Sequence, residues 1–337
     1  MQLVGSPVDD FHAELSTLYA RGSLEALGGA HEMSVAYVAP GGSWRFPVDL
    51  RPSSISAAPG LTLAEAVEHI QRQDISVVLP QMFCHPGMTS YRGLFDVMGL
   101  PYVGNTPTVM AAAADKAAAR AIVSAAGVRV PAGEVVRRGR RPTLPPPVVV
   151  KPVGADNSVG VTLVHDRSDY PAALEAALAH GDSALVETYV ELGREVRCGI
   201  VVRDGELVCL PLEEYAVDPA SKPIRDERDK LGRTADGELY LVAKDRAHAW
   251  IVPDDDPVAA RVAESARRAH VAMGCRHYSL FDFRIDPHGD PWFLEAGPYC
   301  SYARSSVIAV MAAAADITVE DLFASALDEL GLARTPC

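Results

Sequence analysis

The 337-residue chain lacks the short signatures that settle a protein's class at a glance. Its six cysteines are Cys84, Cys198, Cys209, Cys275, Cys300 and Cys337. They form no CxxC pair and no zinc-like spacing, which argues against a zinc module and reads as reduced thiols of a cytoplasmic protein. No apolar run approaches the ~20 residues needed to span a bilayer. The first ten residues have neither a basic n-region nor an apolar h-region, so neither a membrane partner nor a secretory signal is expected. Basic excess is missing too. Lys and Arg number 31 against 44 Asp and Glu, a net charge of −13, whereas a nucleic-acid binder needs a cationic surface. Repeats and low-complexity linkers are absent. So is a GxGxxG after the first strand, which counts against a dinucleotide-dependent oxidoreductase.

What is present is a chain with real cores. Hydrophobic residues make up 48 %, and the length suits two or three domains. Residues 8–27 place Phe11, Leu15, Leu18, Tyr19, Leu24 and Leu27 at helical spacing. Residues 34–39 read as the first buried strand, 43–59 as a Pro/Ser-rich loop, and 62–73 as a helix with Thr62 and Glu65 at the capping-box offset. A second strand is expected at 75–80, a ligand-binding loop at 81–90, a helix at 91–98 and a short strand at 101–104. This β-α-β-α-β rhythm indicates a small parallel sheet flanked by helices. One long alanine-rich helix is expected over 108–126, carrying Asp115-Lys116. Strands follow at 133–136 and 148–151, with the basic turn 137–141 between them read as a solvated hairpin tip. A helix over 170–179 and a strand over 184–187 come next. From Glu195 onward the pattern turns antiparallel, beginning with a type I′ hairpin through Asp204-Gly205. Residues 215–249 are polar and irregular, as a functional lid or disordered insert is. Helices at 257–273, 305–315 and 319–330 frame a last hairpin of strands 279–286 and 291–295.

Three features carry chemistry. The stretch 146–161 runs from a valine-rich strand into Lys151, Pro152 and a small-residue loop bounded by Gly154 and Gly160. A lysine at a strand end beside such a loop can grip phosphate, although a plain β-hairpin fits the same spacing. Asp282 and Glu295 lie on neighbouring strands amid apolar residues. Buried carboxylates need a partner. A shared hard cation such as Mg2+ would serve, as would structural pairing with Arg284 or Arg304. Lys116, Lys151 and one lysine of 222–230 come from three separate regions. Their convergence opposite a carboxylate–metal pair is the layout phosphoryl transfer requires.

Together these residues resemble the ATP-grasp superfamily in its D-alanine–D-alanine ligase branch. The likeness runs over 78–325, through residues 99–104 (GLPYVG), 114–116 (ADK), 150–152 (VKP) with the loop to Gly160, 185–187 (LVE), 193–195 (GRE), 282–284 (DFR) and 294–295 (LE). It implies an α/β chain with α+β elements in three domains: an N-terminal parallel domain (1–108), a central ATP-grasp domain with a glycine-rich lid (109–190) and a C-terminal domain with the metal site (191–337). It implies ATP and Mg2+ as cofactors. Lys116 and Lys151 would hold phosphates, and Asp156, Asn157 and Ser158 would cover them. Glu187, Thr188 and Val190 would form the adenine hinge, and Glu195 would take the ribose. Lys230, or else Lys222, would reach the γ-phosphate, and Asp282 and Glu295 would hold the metal. Lys230, Lys151 and Ser306 are the expected catalytic residues, and His85, Arg225, Ser305 and Ser306 the expected substrate contacts. A homodimer is the family expectation.

The departures bear on substrate. Where the usual ligases have an asparagine two residues after the metal glutamate, this chain has Gly297; where they have an arginine two residues before the metal aspartate, it has Leu280. The glycine-rich N-terminal motif with its substrate-binding glutamate is not visible near Gly41-Gly42-Ser43, and His85 aligns with the family histidine only across a gap. Residues 80–84 (PQMFC), 279–284 (SLFDFR) and 294–298 (LEAGP) look like the ligases of mycosporine-like amino acid biosynthesis. That likeness implies condensation of a serine- or threonine-like amino acid with mycosporine-glycine. The alternatives are a D-alanine–D-alanine or other dipeptide ligase working through an acyl phosphate, and a non-catalytic nucleotide-binding protein.

Overall fold

The computed structural model describes residues 1–155, 158–218, 224, 231–233, 239–241, 248–253 and 255–332. The chain opens with a strand. β1 (Gln2–Gly5) is wholly buried, and the Met1 ammonium donates to the Val77 carbonyl. Then come α1 (Asp10–Leu27), β2 (Val35–Val38), β3 (Trp44–Arg45), α2 (Pro52–Ala57), α3 (Leu63–Gln71), β4 (Leu79–Pro80), α4 (His85–Met88) and α5 (Ser90–Met98). The sheet order is β3-β2-β1-β4, with β1 parallel to both β2 and β4. The strand expected first is therefore second, because the four N-terminal residues fill the middle of the sheet. The presumed loop at 43–59 holds both β3 and α2. The strand expected over 75–80 is paired only at Leu79–Pro80, with Val78 bridging Tyr102 in parallel. The Thr62/Glu65 capping box is present at the head of α3.

The long alanine-rich helix is two helices, α6 (Pro107–Ala114) and α7 (Lys116–Ala125). Asp115 breaks it. Its backbone is extended, at φ −97 and ψ 102, and its carboxylate accepts from the Ala118 N–H as the N-cap of α7. The Lys116 N–H is thereby free of the preceding helix and donates to the Val153 carbonyl at 3.0 Å. This break sets Lys116 against the loop that follows Lys151.

A four-stranded antiparallel sheet comprises β5 (Gly133–Arg137), β6 (Val148–Pro152), β7 (Thr162–Val164) and, after α8 (Tyr170–Leu178), β8 (Ser183–Thr188). Its order is β5-β8-β6-β7. β6 and β7 form the expected hairpin around the small-residue loop, and the register runs on to Pro152 opposite Ala184. β5 pairs with β8 rather than β6, so residues 137–141 make a connection across the sheet and not a hairpin tip.

The largest sheet uses β9 (Arg194–Arg203), β10 (Glu206–Cys209) and β11 (Glu213–Tyr215). After the separate pair β12 (Leu231–Arg233) and β13 (Leu239–Leu241) it adds β14 (Ala249–Ile251), β15 (Tyr278–Ile285) and β16 (Pro291–Ala296). The order is β14-β11-β9-β15-β16, with β10 beside β9. Asp204 at φ 53 and Gly205 at φ 77 make the primed turn that their sequence predicts. Besides α7, the helices α9 (Ala259–Met273), α10 (Val307–Ala313) and α11 (Val319–Glu329) cover this sheet. One face packs on α10 and α11 through Leu280, Ile308, Met311 and Phe323; the other packs on α7 and α9 through Val123, Val262, Phe281 and Phe283. Burial on both sides makes it the rigid platform of the molecule. Among the described residues, no helix is long and apolar enough to cross a membrane.

Candidate active site

A cavity opens between the β5–β8 sheet and the β9–β16 sheet. Lys116, Lys151, Ser158, Glu187, Thr188, Val190, Glu195, Asp282 and Glu295 all line it. These nine were expected as site residues, and they come from five stretches of sequence. Asp156, Asn157, Lys222, Arg225 and Lys230 lie outside the described residues.

Strand periodicity explains the first wall. Val148 and Val150 point into the small core beneath α8, so Val149 and Lys151 face the cavity. Glu187 stands opposite Val149 in the register and hence on the same face. Its carboxylate lies 2.6 Å from the Lys151 ammonium and 3.4 Å from the Arg120 guanidinium of α7. Lys116, held at the head of α7, donates to the Ala155 carbonyl at 2.5 Å and pairs with Glu295 at 3.0 Å. Both lysines are less than a tenth exposed. Gly160 closes the loop at φ 69, where a Cβ would sit 3.0 Å from the Pro152 ring.

The opposite wall is a grid of charges on one face of the large sheet. Register partners in an antiparallel ladder share a face. Arg197 opposes Asp282, Glu195 opposes Arg284, Asp282 opposes Glu295, and Glu213 opposes Arg197. Arg197 donates two hydrogen bonds to Asp282, that to Oδ2 at 2.8 Å, and its guanidinium lies 5.1 Å from the Tyr215 ring. Burial works against the charge of Arg197. The Asp282 carboxylate, with Tyr215 and Glu213, nevertheless holds its pKa well above the ordinary value. Arg284 donates to Glu195 at 2.8 Å and to the Val190 carbonyl at 3.3 Å, and stacks over Tyr189. The two structural partners offered by the sequence are used elsewhere: Arg284 holds Glu195, and Arg304 holds Glu320.

Each carboxylate of the cavity thus faces a cation, and a nucleotide would redistribute these pairs. Phosphates would draw the lysines, and a hard cation would draw Asp282 and Glu295. Those two fit Mg2+: they are adjacent all-oxygen donors, and Mg2+ takes its other ligands from phosphate and water. Among the described residues no third Asp, Glu, His or Cys joins them in a ready-made metal cluster. Gly297 supplies no side-chain ligand; the place a Cβ would occupy faces the Tyr299 ring at 3.6 Å.

The three described residues among the expected substrate contacts are not gathered here. His85 is exposed on the first turn of α4, and Ser305 is exposed as well. Ser306 is buried, and its hydroxyl accepts from the Ala309 N–H as the N-cap of α10. None of the three lines the cavity. Ser306, expected as a catalytic residue, serves in this structure as a helix cap. A Ser-Ser pair before a helix is equally an N-terminus signal. Conversely, Arg120, Arg197, Arg284 and Tyr299 were not singled out as ligand-site residues. Arg197 could have been found by the reasoning applied to Asp282, since it is a charge between the buried residues Val196 and Cys198.

The comparisons with known proteins bear on the whole arrangement. The family profile described as D-ala D-ala ligase C-terminus matches residues 138–328. The D-alanine–D-alanine ligase of Citrifermentans bemidjiense is 32 % identical over 237 residues, which are 69 % of this chain and 71 % of that protein. The vancomycin B-type resistance protein VanB of Enterococcus faecalis is 29 % identical over 272 residues, 79 % of this chain and 76 % of VanB. Among solved structures, the D-alanine–D-alanine ligase of Coxiella burnetii superposes with a TM-score of 0.77 at 16 % identity, covering 97 % of this chain and 93 % of that one. The VanG D-Ala:D-Ser ligase of Enterococcus faecalis gives 0.76 at 20 % identity, with 98 % of both chains covered.

Proposed function

The chain belongs to the D-alanine–D-alanine ligase family, and on that premise we propose that it joins the amino group of an amino acid to an acceptor carbon whose oxygen is first phosphorylated by ATP. The fold is the ATP-grasp fold, and the protein is an ATP-dependent C–N ligase. The observation that carries the proposal is the convergence of Lys116, Lys151, Asp282 and Glu295 on one cavity. We take residues 1–108, 109–190 and 191–337 as its three domains.

Lys116 and Lys151 would exchange their carboxylate partners for phosphate oxygens, and Glu187 to Val190 would receive the adenine. Asp282 and Glu295 would hold Mg2+, which supplies charge neutralisation of the phosphates. The γ-phosphoryl group passes to the acceptor oxygen and ADP leaves. The amine lone pair then attacks the carbon bearing that oxygen. The C–O bond breaks toward phosphate, and the amine proton is lost. Positioning and electrostatics account for most of such catalysis.

For the acceptor, the relatives favour a carboxylate, giving an acyl phosphate and then a peptide bond, as in a D-alanine–D-alanine or similar dipeptide ligase. A second reading rests on two positions. Leu280 is buried in the apolar core where the usual ligases place an arginine, and Tyr299 stands over Gly297. With no cation at position 280 to hold a tetrahedral carboxylate adduct, the acceptor would be the vinylogous acid of mycosporine-glycine. The amine would be that of a serine- or threonine-like amino acid, and the product would contain a C=N bond. ADP release with D-alanine alone, compared with mycosporine-glycine plus a panel of amino acids, separates the two. A dipeptide ligase turns over with D-alanine. The second reading predicts none there, and a product of longer-wavelength absorbance with mycosporine-glycine and serine. Silence with every pair, or turnover undiminished in Asp282→Ala, overturns the proposal.

A further inference from the structure

The nucleotide machinery accounts for one end of the charged row Glu213–Arg197–Asp282–Glu295. Lys116 pairs with Glu295 there, and both carboxylates nearest it face the cavity. Arg197 lies one strand further on, outside the residues that line the nucleotide cavity. It is the only cation in that four-residue row. Its side chain is 13 % exposed, so its guanidinium is largely desolvated and its partner matters.

Its surroundings differ from those of the two lysines. Tyr19 of α1 is half-buried, close enough for Arg197 to act on its hydroxyl electrostatically. The Tyr19 ring meets Phe83 at 5.0 Å, and Phe83 meets Tyr299 at 5.7 Å. These rings come from α1, from the loop at the carboxyl end of β4 and from the segment after β16. They make an aromatic wall where the parallel sheet meets the large one, the position in which open α/β sheets hold ligands. Tyr299 is 40 % exposed, so the wall is not sealed. Leu280 shares the Asp282 face of β15 and is committed to the apolar core, so position 280 offers no cation toward this wall, and Arg284 on the same face is paired with Glu195.

We propose that Arg197 is the acceptor-binding residue of this ligase, its guanidinium taking a planar oxyanion of the acceptor, and that its pairing with Asp282 makes acceptor binding wait for the metal-bound nucleotide. The proposal rests on the reading that Asp282 serves the nucleotide's cation. When Asp282 turns to that cation, Arg197 loses its bidentate partner and presents the same planar fork to the acceptor. A guanidinium suits a carboxylate or a vinylogous carboxylate equally well, because both offer coplanar oxygens to paired N–H donors. The arrangement places the acceptor oxygen beside Asp282 and hence next to the phosphate end of the nucleotide. It also gives an order of binding: nucleotide with Mg2+ first, acceptor second.

Calorimetry on the full chain tests both parts. Mg2+ with a non-hydrolysable ATP analogue is titrated into wild type, Arg197→Gln and Arg197→Lys. D-alanine or mycosporine-glycine, whichever supports ADP release in wild type, is then titrated into the loaded proteins. Arg197→Gln is expected to keep or tighten the Mg2+–nucleotide affinity, since Asp282 loses a competitor. Acceptor affinity should fall about 10- to 100-fold, the value of a charged hydrogen-bonding contact. Arg197→Lys should recover it only in part, for want of the planar fork. In wild type, acceptor binding should weaken at least about tenfold, one unit of log K, when EDTA replaces Mg2+; this arm stands even if the variants fail to fold. Weaker nucleotide binding with acceptor affinity unchanged would make Arg197 a mere support of Asp282 and overturn the inference. Acceptor binding indifferent to Mg2+ would overturn the ordering. Absence of ADP release in wild type with either acceptor would instead count against the ligase reading itself.

Discussion

Glu187 is held by two cations at unequal distance, and that inequality predicts what each removal does. Lys151 lies at 2.6 Å and Arg120 at 3.4 Å. Coulomb attraction falls inversely with distance, so Arg120 retains about three-quarters of what Lys151 supplies. A fully orphaned buried carboxylate costs roughly 3–5 kcal/mol. Lys151→Ala leaves one cation in place, so its stability cost should be well below that, about 1–2 kcal/mol, a loss that belongs to the difference between the two partners. Arg120→Ala, which also gives up hydrogen bonds to the Pro131 carbonyl, should cost a similar amount. The double variant strands Glu187 and should lose more than the sum, reaching the roughly 3–5 kcal/mol of the orphaned group. Denaturant unfolding measures these terms as a double-mutant cycle. Nucleotide binding should part company with stability. Lys151→Ala would give up the proposed phosphate contact and should weaken an ATP analogue about 10- to 100-fold, while Arg120→Ala should leave its affinity within a few-fold. Additive stabilities, or equal losses of nucleotide affinity in the two single variants, would refute this account of the site.

Two further predictions concern the junction between the parallel sheet and the large one. His277 accepts from the Gly104 N–H at 2.8 Å, and burial, with Arg276 and Arg92 close by, lowers its pKa to about 3; burial also lowers His270 to about 4. Both are neutral when folded and take up protons on unfolding below pH 6.5. Each therefore stabilises above the unfolded pKa, and that stability is lost as pH falls from 6.5 toward the folded value, by about 1.4 kcal/mol per pH unit. His277→Asn, which tolerates the φ of 60 at this position, should flatten the pH dependence of thermal unfolding between pH 6 and 4 by about that slope; an unchanged slope would contradict the assignment. At Gly104, φ is +97 and a Cβ would lie 2.4 Å from the Tyr278 hydroxyl and 3.0 Å from Arg92. Gly104→Ala should lose about 2–4 kcal/mol, strain and overpacking together, as a lowered denaturant midpoint.

Much of this was legible in the sequence because periodicity and turn chemistry are local. The Thr62/Glu65 box, the Asp204-Gly205 turn and the paired strands bearing Asp282 and Glu295 formed where their residue patterns placed them. Misreadings came where a non-local partner decides. Gln2–Gly5 is a strand because β2 and β4 flank it. Asp115 splits a helix because Val153 takes the Lys116 N–H. The turn at 137–141 joins strands separated by β8. The residues that line the cavity were readable because lysines at strand and helix ends, and carboxylates in apolar strands, are locally anomalous. Arg197 and the Tyr19–Phe83–Tyr299 wall exist only once distant segments meet.

The central claim is that an acceptor oxygen is phosphorylated before the amine displaces it. It is tested most directly by labelling that oxygen with 18O and following the products by mass spectrometry. The account predicts ADP as the nucleotide product and the label in the released inorganic phosphate, both abolished in Asp282→Ala. AMP with pyrophosphate, or phosphate free of label while the C–N product forms, would contradict it.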